Sequence, residues 1–442
     1  MKRFFTNIAF AAFLAASMGA NASAETVNIG GTDYEMNKLV DRELAPGVQY
    51  MRLRFPDYPL NVNLLKVDVS NPKVKVETTV AKESARGTEL LTSVAKRLTS
   101  AGHKPVAAAN ANFWVVSSQT PDGGVFSGIT RNASVRNGKI VTESNQYLDK
   151  WGNGVGTTRS GVVCITEDGK VYVDSCTSAI RVTIGDKKMP VHLCNKGPKP
   201  GELCMYNSFY GADRAFMPIR VVDNADNKKW YEKAPAGKCT ELLLDLKPGQ
   251  SWIGGKDIVF VVKEVRTAGG EGTLGNHDLA LVGNGTAYSK YYFKDVKPGD
   301  EVTLEYHWTF ENAAGERVQP VVTQAVGGNA MVMRAGVQTI HNTNEDYNSM
   351  VYSRTGYGCS EDNKTLYIIV IDKSTDPEYG TSAGCSTAKM CDIARHFGCW
   401  NLSNFDAGGS AEMMVDGEII NKTTEATPRA VANGMMIFTV SD

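Results

Sequence analysis

The run Asn404-Phe-Asp-Ala-Gly-Gly-Ser-Ala-Glu412 is the densest polar and glycine signal in the chain. It follows a short apolar run, Trp400 to Phe405, so it puts the carboxylate of Asp406 at a strand tip. Gly408 and Gly409 lack Cβ, and their backbone can approach a ligand closely. Successive exposed N–H groups in such a turn, through Ser410, can cradle an anion. Glu412 adds a second carboxylate. Taken alone, the motif reads better as an ordinary tight turn with a capping Asp.

Other strand ends carry similar groups. Asn110-Ala-Asn112 follows the apolar run Val106 to Ala109. Arg354-Thr355-Gly356 precedes a strand-like run, and Asp372 ends the next one. Arg429-Ala-Val-Ala-Asn433 precedes the last strand. Amides at such places are commonly turn residues, and a lone arginine is commonly a solvated one. Two arginines, three carboxylates and three amides at strand ends nevertheless match the place where open sheets build sites.

These strings resemble the phosphodiester glycosidase family. Gly398-Cys-Trp-Asn-Leu-Ser-Asn-Phe-Asp-Ala-Gly-Gly-Ser-Ala-Glu-Met-Met-Val-Asp-Gly417 is similar to its N-L-D-G-G-G-S-[SA]-T-x-x-x-x-G signature. Ala109 to Trp114, Glu202 to Gly211 with Tyr206, Ala325 to Gly336, Arg354-Thr355 and Arg429 to Asn433 resemble further family steps in the family's order. Ala407 replaces the first glycine of the triple, Glu412 stands where Ser or Thr is usual, and Ser403-Asn404 separates the Asn-Leu step from its Asp. The resemblance implies an exported hydrolase that cuts the anomeric C–O bond of a sugar-1-phosphodiester, with an N-acetylhexosamine as one candidate sugar. The leaving phosphate monoester is already anionic, with a second pKa of ~6. It needs positive charge and N–H donors more than a proton, and Arg354, Arg429, Thr355 and the Gly408-Gly409-Ser410 backbone are the candidates. The anomeric carbon becomes cationic, so a carboxylate beside it stabilises the transition state. Asp406 is the first choice, with Asp372 or Glu412 as the second carboxylate. Asn110 and Asn112 would orient hydroxyls or an N-acetyl group. No cofactor is required. Oxygen donors beside a phosphate leave calcium or magnesium open. A carbohydrate-binding cell-envelope protein without catalysis is the alternative on the same scaffold. A phosphodiesterase would want a two-metal carboxylate/histidine cluster, which the sequence lacks.

The elements that must position these groups read as an α+β fold of β-rich mixed sheets with a few helices. Leu90, Leu91, Val94, Ala95 and Leu98 share a helical face over Thr88 to Ser100. Met390, Ile393, Ala394 and Phe397 do so over Ser386 to Phe397, with Gly398 as the stop. Val163 to Val173 and Met413 to Ile420 read as hairpins with Asp-Gly turns. Leu366 to Ile371 is a continuous apolar run, expected as a central strand buried on both faces and packed under the second helix.

Lys plus Arg is 47 and Asp plus Glu is 48, which gives no basic surface for nucleic acid. Met1-Lys2-Arg3, an apolar run and Ala22-Ser23-Ala24 read as a signal peptide over 1–24, hence a periplasmic or secreted protein without a membrane anchor. Residues 25–59 read as an N-terminal segment and 60–442 as the glycosidase domain, with a Lys/Pro/Gly-rich sub-lobe near 181–320. Of the nine cysteines, Cys194 and Cys204 bracket a Pro/Gly-rich loop and are expected to pair. An Asp168-Gly169 turn would put Cys164 opposite Val173, out of register with Cys176.

Overall fold

The computed structural model describes residues 25–100, 103–116, 127–144, 161–223, 229–233, 237–253, 255–339 and 346–440. The signal-peptide reading of 1–24 lies outside them. Strands dominate, and the α+β class stands.

One sheet runs Glu25–Ile29, Thr32–Ala45, Val48–Phe55, Leu60–Asp68, Thr365–Ile371, Arg354–Cys359, Asn401–Asn404, Met331–Arg334, Val337–Gln338. A second runs Glu418–Ile419, Met413–Val415, His103–Asn110, Asn433–Val440, Val74–Val80. These two face each other across a core that holds Leu366, Ile368 and Val370 from one side and Ala107, Ala109, Met413 and Ile437 from the other. The alternate residues of the same strand, Tyr367, Ile369 and Ile371, point the other way and pack with Met390, Ile393 and Ala394 of the helix Thr387–His396. The apolar run is therefore continuous because both faces of the sheet are covered, although both neighbours of this strand are antiparallel.

The helix Thr387–His396 starts under a Ser386 side-chain cap and ends before Gly398, which sits at φ +93°. The first expected helix is shorter than its pattern, Leu91–Leu98. Leu90 is extended and exposed, so the buried face is Leu91, Val94 and Ala95, packed on the outer side of the second sheet.

Residues 177–318 build a sheet of their own: Lys187–Pro190, Thr177–Ile184, Glu301–Glu311, Ile258–Gly269, Cys239–Leu246, Leu279–Asn284, Leu203–Asn207, Leu193–Cys194, with Arg317–Val318 added on Glu301–Glu311. The last two strands of that path form the only parallel pair among the described residues. A smaller sheet, Val171–Ser175, Gly161–Thr166, Val322–Gly327, Ser134–Arg136, Lys139–Thr142, is shared between cores. Its Val163, Ile165 and Val173 face the main core, and Val162, Cys164 and Tyr172 face the core of the 177–318 sheet. This alternation joins the two halves.

The hairpins form as their turns dictate, with one correction. Val415 faces Glu418 across Asp416-Gly417, and both turn residues have positive φ, the two-residue loop that suits strand twist. In the other hairpin Ile165 faces Val171, and Gly169 sits at φ +70° in the loop between them. Cys164 therefore lies opposite Tyr172 rather than Val173.

The described cysteines are all free and buried. Cys194 and Cys204 lie on neighbouring strands, where Cys194 partners Met205 and Leu193 partners Cys204. Alternation sends Cys194 to one core and Cys204 to the opposite one. The expected bond between them is not formed, because the two thiols are on opposite faces of one sheet.

Candidate active site

The strand Asn401–Asn404 leaves the first sheet by two backbone bonds. Phe405 N–H donates to Thr355 O (2.9 Å) and Asp406 N–H to Ala111 O (3.0 Å). The second bond lands just past the strand His103–Asn110, so Asp406 is carried into the gap where the ends of both sheets meet. Asn110 closes that gap. Its Nδ2 donates to Asp406 O (2.8 Å), and its Oδ1 accepts from Glu412 N–H (3.1 Å) and Thr355 Oγ1 (2.9 Å). One buried amide thus ties together the backbones of both carboxylate residues and the Arg354–Cys359 strand.

Between Asp406 and Glu412 the chain makes one tight turn over Gly408–Ser410. Gly408 sits at φ +67°, a conformation that favours glycine. Ser353 Oγ donates to Gly408 O (2.9 Å), and Ala411 N–H closes the turn on the same carbonyl (3.2 Å). Arg429 Nη1 donates to Ser410 Oγ (3.1 Å), and the Ser410 hydroxyl lies on the side that favours the ionised Asp406 carboxylate. The other guanidinium edge of Arg429 is forked by Glu425, with Nε–Oε2 at 3.1 Å and Nη2 on Oε1.

Burial is the main influence on the carboxyls. It pushes Asp406 up to about 7, against the Ser410 bond, the Ala407 N–H and the charges of Arg429 and Arg131. Asp406 keeps part of its surface as a residue, while its carboxyl group is deeply buried. Glu412 is fully buried, and neither carboxyl oxygen has a hydrogen-bond partner among the described residues. Burial pushes it up to about 8, opposed by Arg429 alone. Asp372 is raised to about 7 by burial, with Asn421 and Arg52 opposing. Asn421 Nδ2 donates to Asp372 Oδ1 (3.0 Å) and to Ala411 O (3.0 Å), while its Oδ1 accepts from Met413 N–H (2.7 Å). Asp372 therefore braces the chain on either side of Glu412 from below, through one amide.

Asp406, Gly408, Gly409, Ser410, Glu412 and Arg429 come together in this way, with Asn110 and Thr355 as their frame. Arg354 and Asn112 are bound elsewhere. Arg354 is fully buried, with Nε on Cys385 O (2.9 Å) and Nη2 on Met350 O. Asn112 spends its whole side chain on structure. Its Oδ1 accepts from Gly327 N–H (3.0 Å) and Asn433 Nδ2 (2.9 Å), and its Nδ2 donates to Asn132 O and Ala133 O (3.0 Å each). Asp406 and Arg429 share the Gly408–Ser410 turn, while the described contacts of Arg354 and Asn112 go to other parts of the frame. Arg131, Asn421 and Glu425 were not singled out from the sequence. Only Glu425 left a signal there, four residues before Arg429 as an ion-pair spacing. Among the described residues no group of three or more His, Cys, Asp and Glu is placed to hold a metal ion. No described helix is long and apolar enough to cross a membrane.

Residues 258–438 match the phosphodiester glycosidase family model. Over that stretch the chain is similar to a phosphodiester glycosidase domain. The match takes in the Gly408–Ser410 turn, Glu412 and Arg429, while the strands of the site that precede residue 258 lie outside it. No curated protein matches the chain. Among solved structures, a Synechocystis protein described as hypothetical is similar in fold, with TM-score 0.59 and 12% identity over 90% of this chain. The chain spans 63% of that protein's length. A Burkholderia pseudomallei K96243 protein described as a "Putative exported protein" gives TM-score 0.57 and 16% identity, covering 87% of this chain and 76% of that one. The zebrafish N-acetylglucosamine-1-phosphodiester alpha-N-acetylglucosaminidase catalytic domain, auto-inhibited by its pro-peptide, gives TM-score 0.40 and 10% identity over 93% and 89% of the two chains.

Proposed function

We propose that this chain is an exported glycosidase that hydrolyses the anomeric C–O bond of a sugar-1-phosphodiester. The observation that carries the reading is Arg429, bonded to Ser410 and set with Asp406 around one glycine turn. In this reading Arg429 and the Gly408 and Gly409 N–H groups take the phosphate, because a charge-assisted fork and backbone donors suit an anion that is leaving. Asp406, ionised above about 7, works at the anomeric carbon, either attacking it or activating water. Arg354 and Asn112 have no part in binding and serve the frame. Export is supported by the basic, apolar and Ala-Ser-Ala order of residues 1–24.

Turnover of a panel of sugar-1-phosphodiesters in water labelled with heavy oxygen tests it. Label in the sugar is the expected result. Label in the phosphate would mean P–O cleavage and overturn the reading. Binding of the panel without turnover would point to a carbohydrate-binding protein on this scaffold.

A further inference from the structure

The Arg429 fork that the proposed phosphate needs is already filled. Glu425 holds it by two edges, Nε to Oε2 (3.1 Å) and Nη2 to Oε1. The pair also lies on the glycine turn. A Cβ built on Gly409 would come within 2.4 Å of Arg429 Nη2 and 2.6 Å of Glu425 Oε1. The Glu425 carboxylate therefore occupies the space over the turn, against the same guanidinium an incoming anion would use.

We infer that Glu425 is the resident anion of this site, which the substrate's phosphate must exchange with, so that it sets how selectively and how tightly phosphate binds. The inference rests on the reading that Arg429 receives the phosphate. Two like charges cannot share one guanidinium edge at contact distance, so binding the phosphate turns the Glu425 side chain out. The contacts indicate how. The chain beside Glu425 is tethered: Thr424 Oγ1 reaches Lys373 O (3.4 Å) and Ser353 Oγ (3.2 Å), and Thr423 Oγ1 donates to Glu425 O (2.8 Å). The Glu425 side chain itself is 45% exposed. The exchange is a rotation of one side chain into water, with these tethers kept. An exposed ion pair contributes little, whereas a phosphate held by a guanidinium and backbone N–H groups gains charge-assisted bonds. The exchange therefore favours phosphate over weaker anions and over neutral ligands, which do not displace the carboxylate.

Binding of inorganic phosphate to the full chain, followed by calorimetry, tests this with Glu425→Gln, Glu425→Asp and Arg429→Met. The expected result is phosphate binding roughly two- to fivefold tighter in Glu425→Gln, a smaller gain in Glu425→Asp, and loss of binding in Arg429→Met, all with folded proteins by thermal melt. If Arg429→Met loses phosphate but Glu425→Gln binds it no tighter than the parent, the exchange is wrong while the phosphate role of Arg429 stands. If Arg429→Met binds phosphate as the parent does, the phosphate role of Arg429 fails and the exchange with it.

Discussion

Asp406 and Glu412 leave the same turn, but their surroundings give them different work. Asp406 has a hydroxyl, a backbone N–H and two guanidinium charges to stabilise its ionised form, and Glu412 has only one guanidinium charge. A carboxyl with no bonded partner in a buried place is held neutral rather than charged. In the proposed mechanism Asp406 is therefore the group that works ionised, and kcat/KM should rise with pH through about 7 as it loses its proton. A profile flat from pH 5 to 9 would remove it from the mechanism. Asp406→Asn should lower turnover by roughly 10²–10⁴-fold while the melting temperature stays near the parent's; a large fall in melting temperature with full activity of the folded fraction would make Asp406 a turn cap. For Glu412 the prediction concerns stability. Its folded pKa, about 8 against an ordinary 4.5, means that the folded state holds the proton more tightly than the unfolded chain. That contribution is complete below about pH 4 and is lost as pH rises through about 8. Glu412→Gln is a neutral copy of the protonated acid. It should match the parent's stability at pH 4 and exceed it at pH 9 by a few kcal/mol, because each tenfold difference in proton affinity between the folded and unfolded chain is worth about 1.4 kcal/mol. Equal stability at both pH values would show that Glu412 is not held neutral.

The frame residues set a second kind of test. Asn112 satisfies two N–H donors and two carbonyls that link the His103–Asn110 strand to Asn132, Gly327 and Asn433. Removing it leaves buried groups unpaired, so Asn112→Ala should cost roughly 2–4 kcal/mol of stability with KM unchanged in the folded fraction. A raised KM with an unchanged melt would return Asn112 to the binding site. The strand ends themselves were legible from the sequence. Asp372, Asp406, Arg354 and Asn433 each fall where an apolar run stops or starts, and the Leu366 to Ile371 run and the Ser386 cap announced their elements. Which strand end meets which was not legible. Asn110 and Asp406 are 296 residues apart, and Asn112 and Asn433 are 321. Local pattern carries no information on such pairs, so amides that read as substrate donors are cross-links between sheets. The Cys164 register failed for a smaller reason. A longer loop with Gly at positive φ and a two-residue Asp-Gly loop share the same letters.

At the scale of the molecule, the cores are separated by sheets whose two faces are both covered, and this decides the chemistry of the cysteines. Cys164, Cys176 and Cys194 lie in the core inside the 177–318 sheet, and Cys204 and Cys239 lie on its outer face. Cys359 faces the core between the two main sheets, and Cys385, Cys391 and Cys399 face the helix Thr387–His396. A sheet stands between many of the candidate pairs, Cys194 and Cys204 among them. Burial also pushes the thiols up, to about 12 for Cys239, Cys359 and Cys385, so the reactive thiolate is scarce at neutral pH. Some bond a carbonyl instead, as Cys391 Sγ does to Val332 O (3.1 Å) and Cys399 Sγ to Asn401 O (3.2 Å). The native protein, purified without reductant, should therefore show almost no reaction with a thiol reagent at pH 8, and the same sample in denaturant should release all nine thiols. A count of seven or fewer in denaturant would establish a disulfide, and peptide mapping would then show whether Cys194 and Cys204 form it. That result would require the Leu193–Cys194 strand to shift by one residue against Leu203–Asn207, because only such a shift turns both side chains to one face.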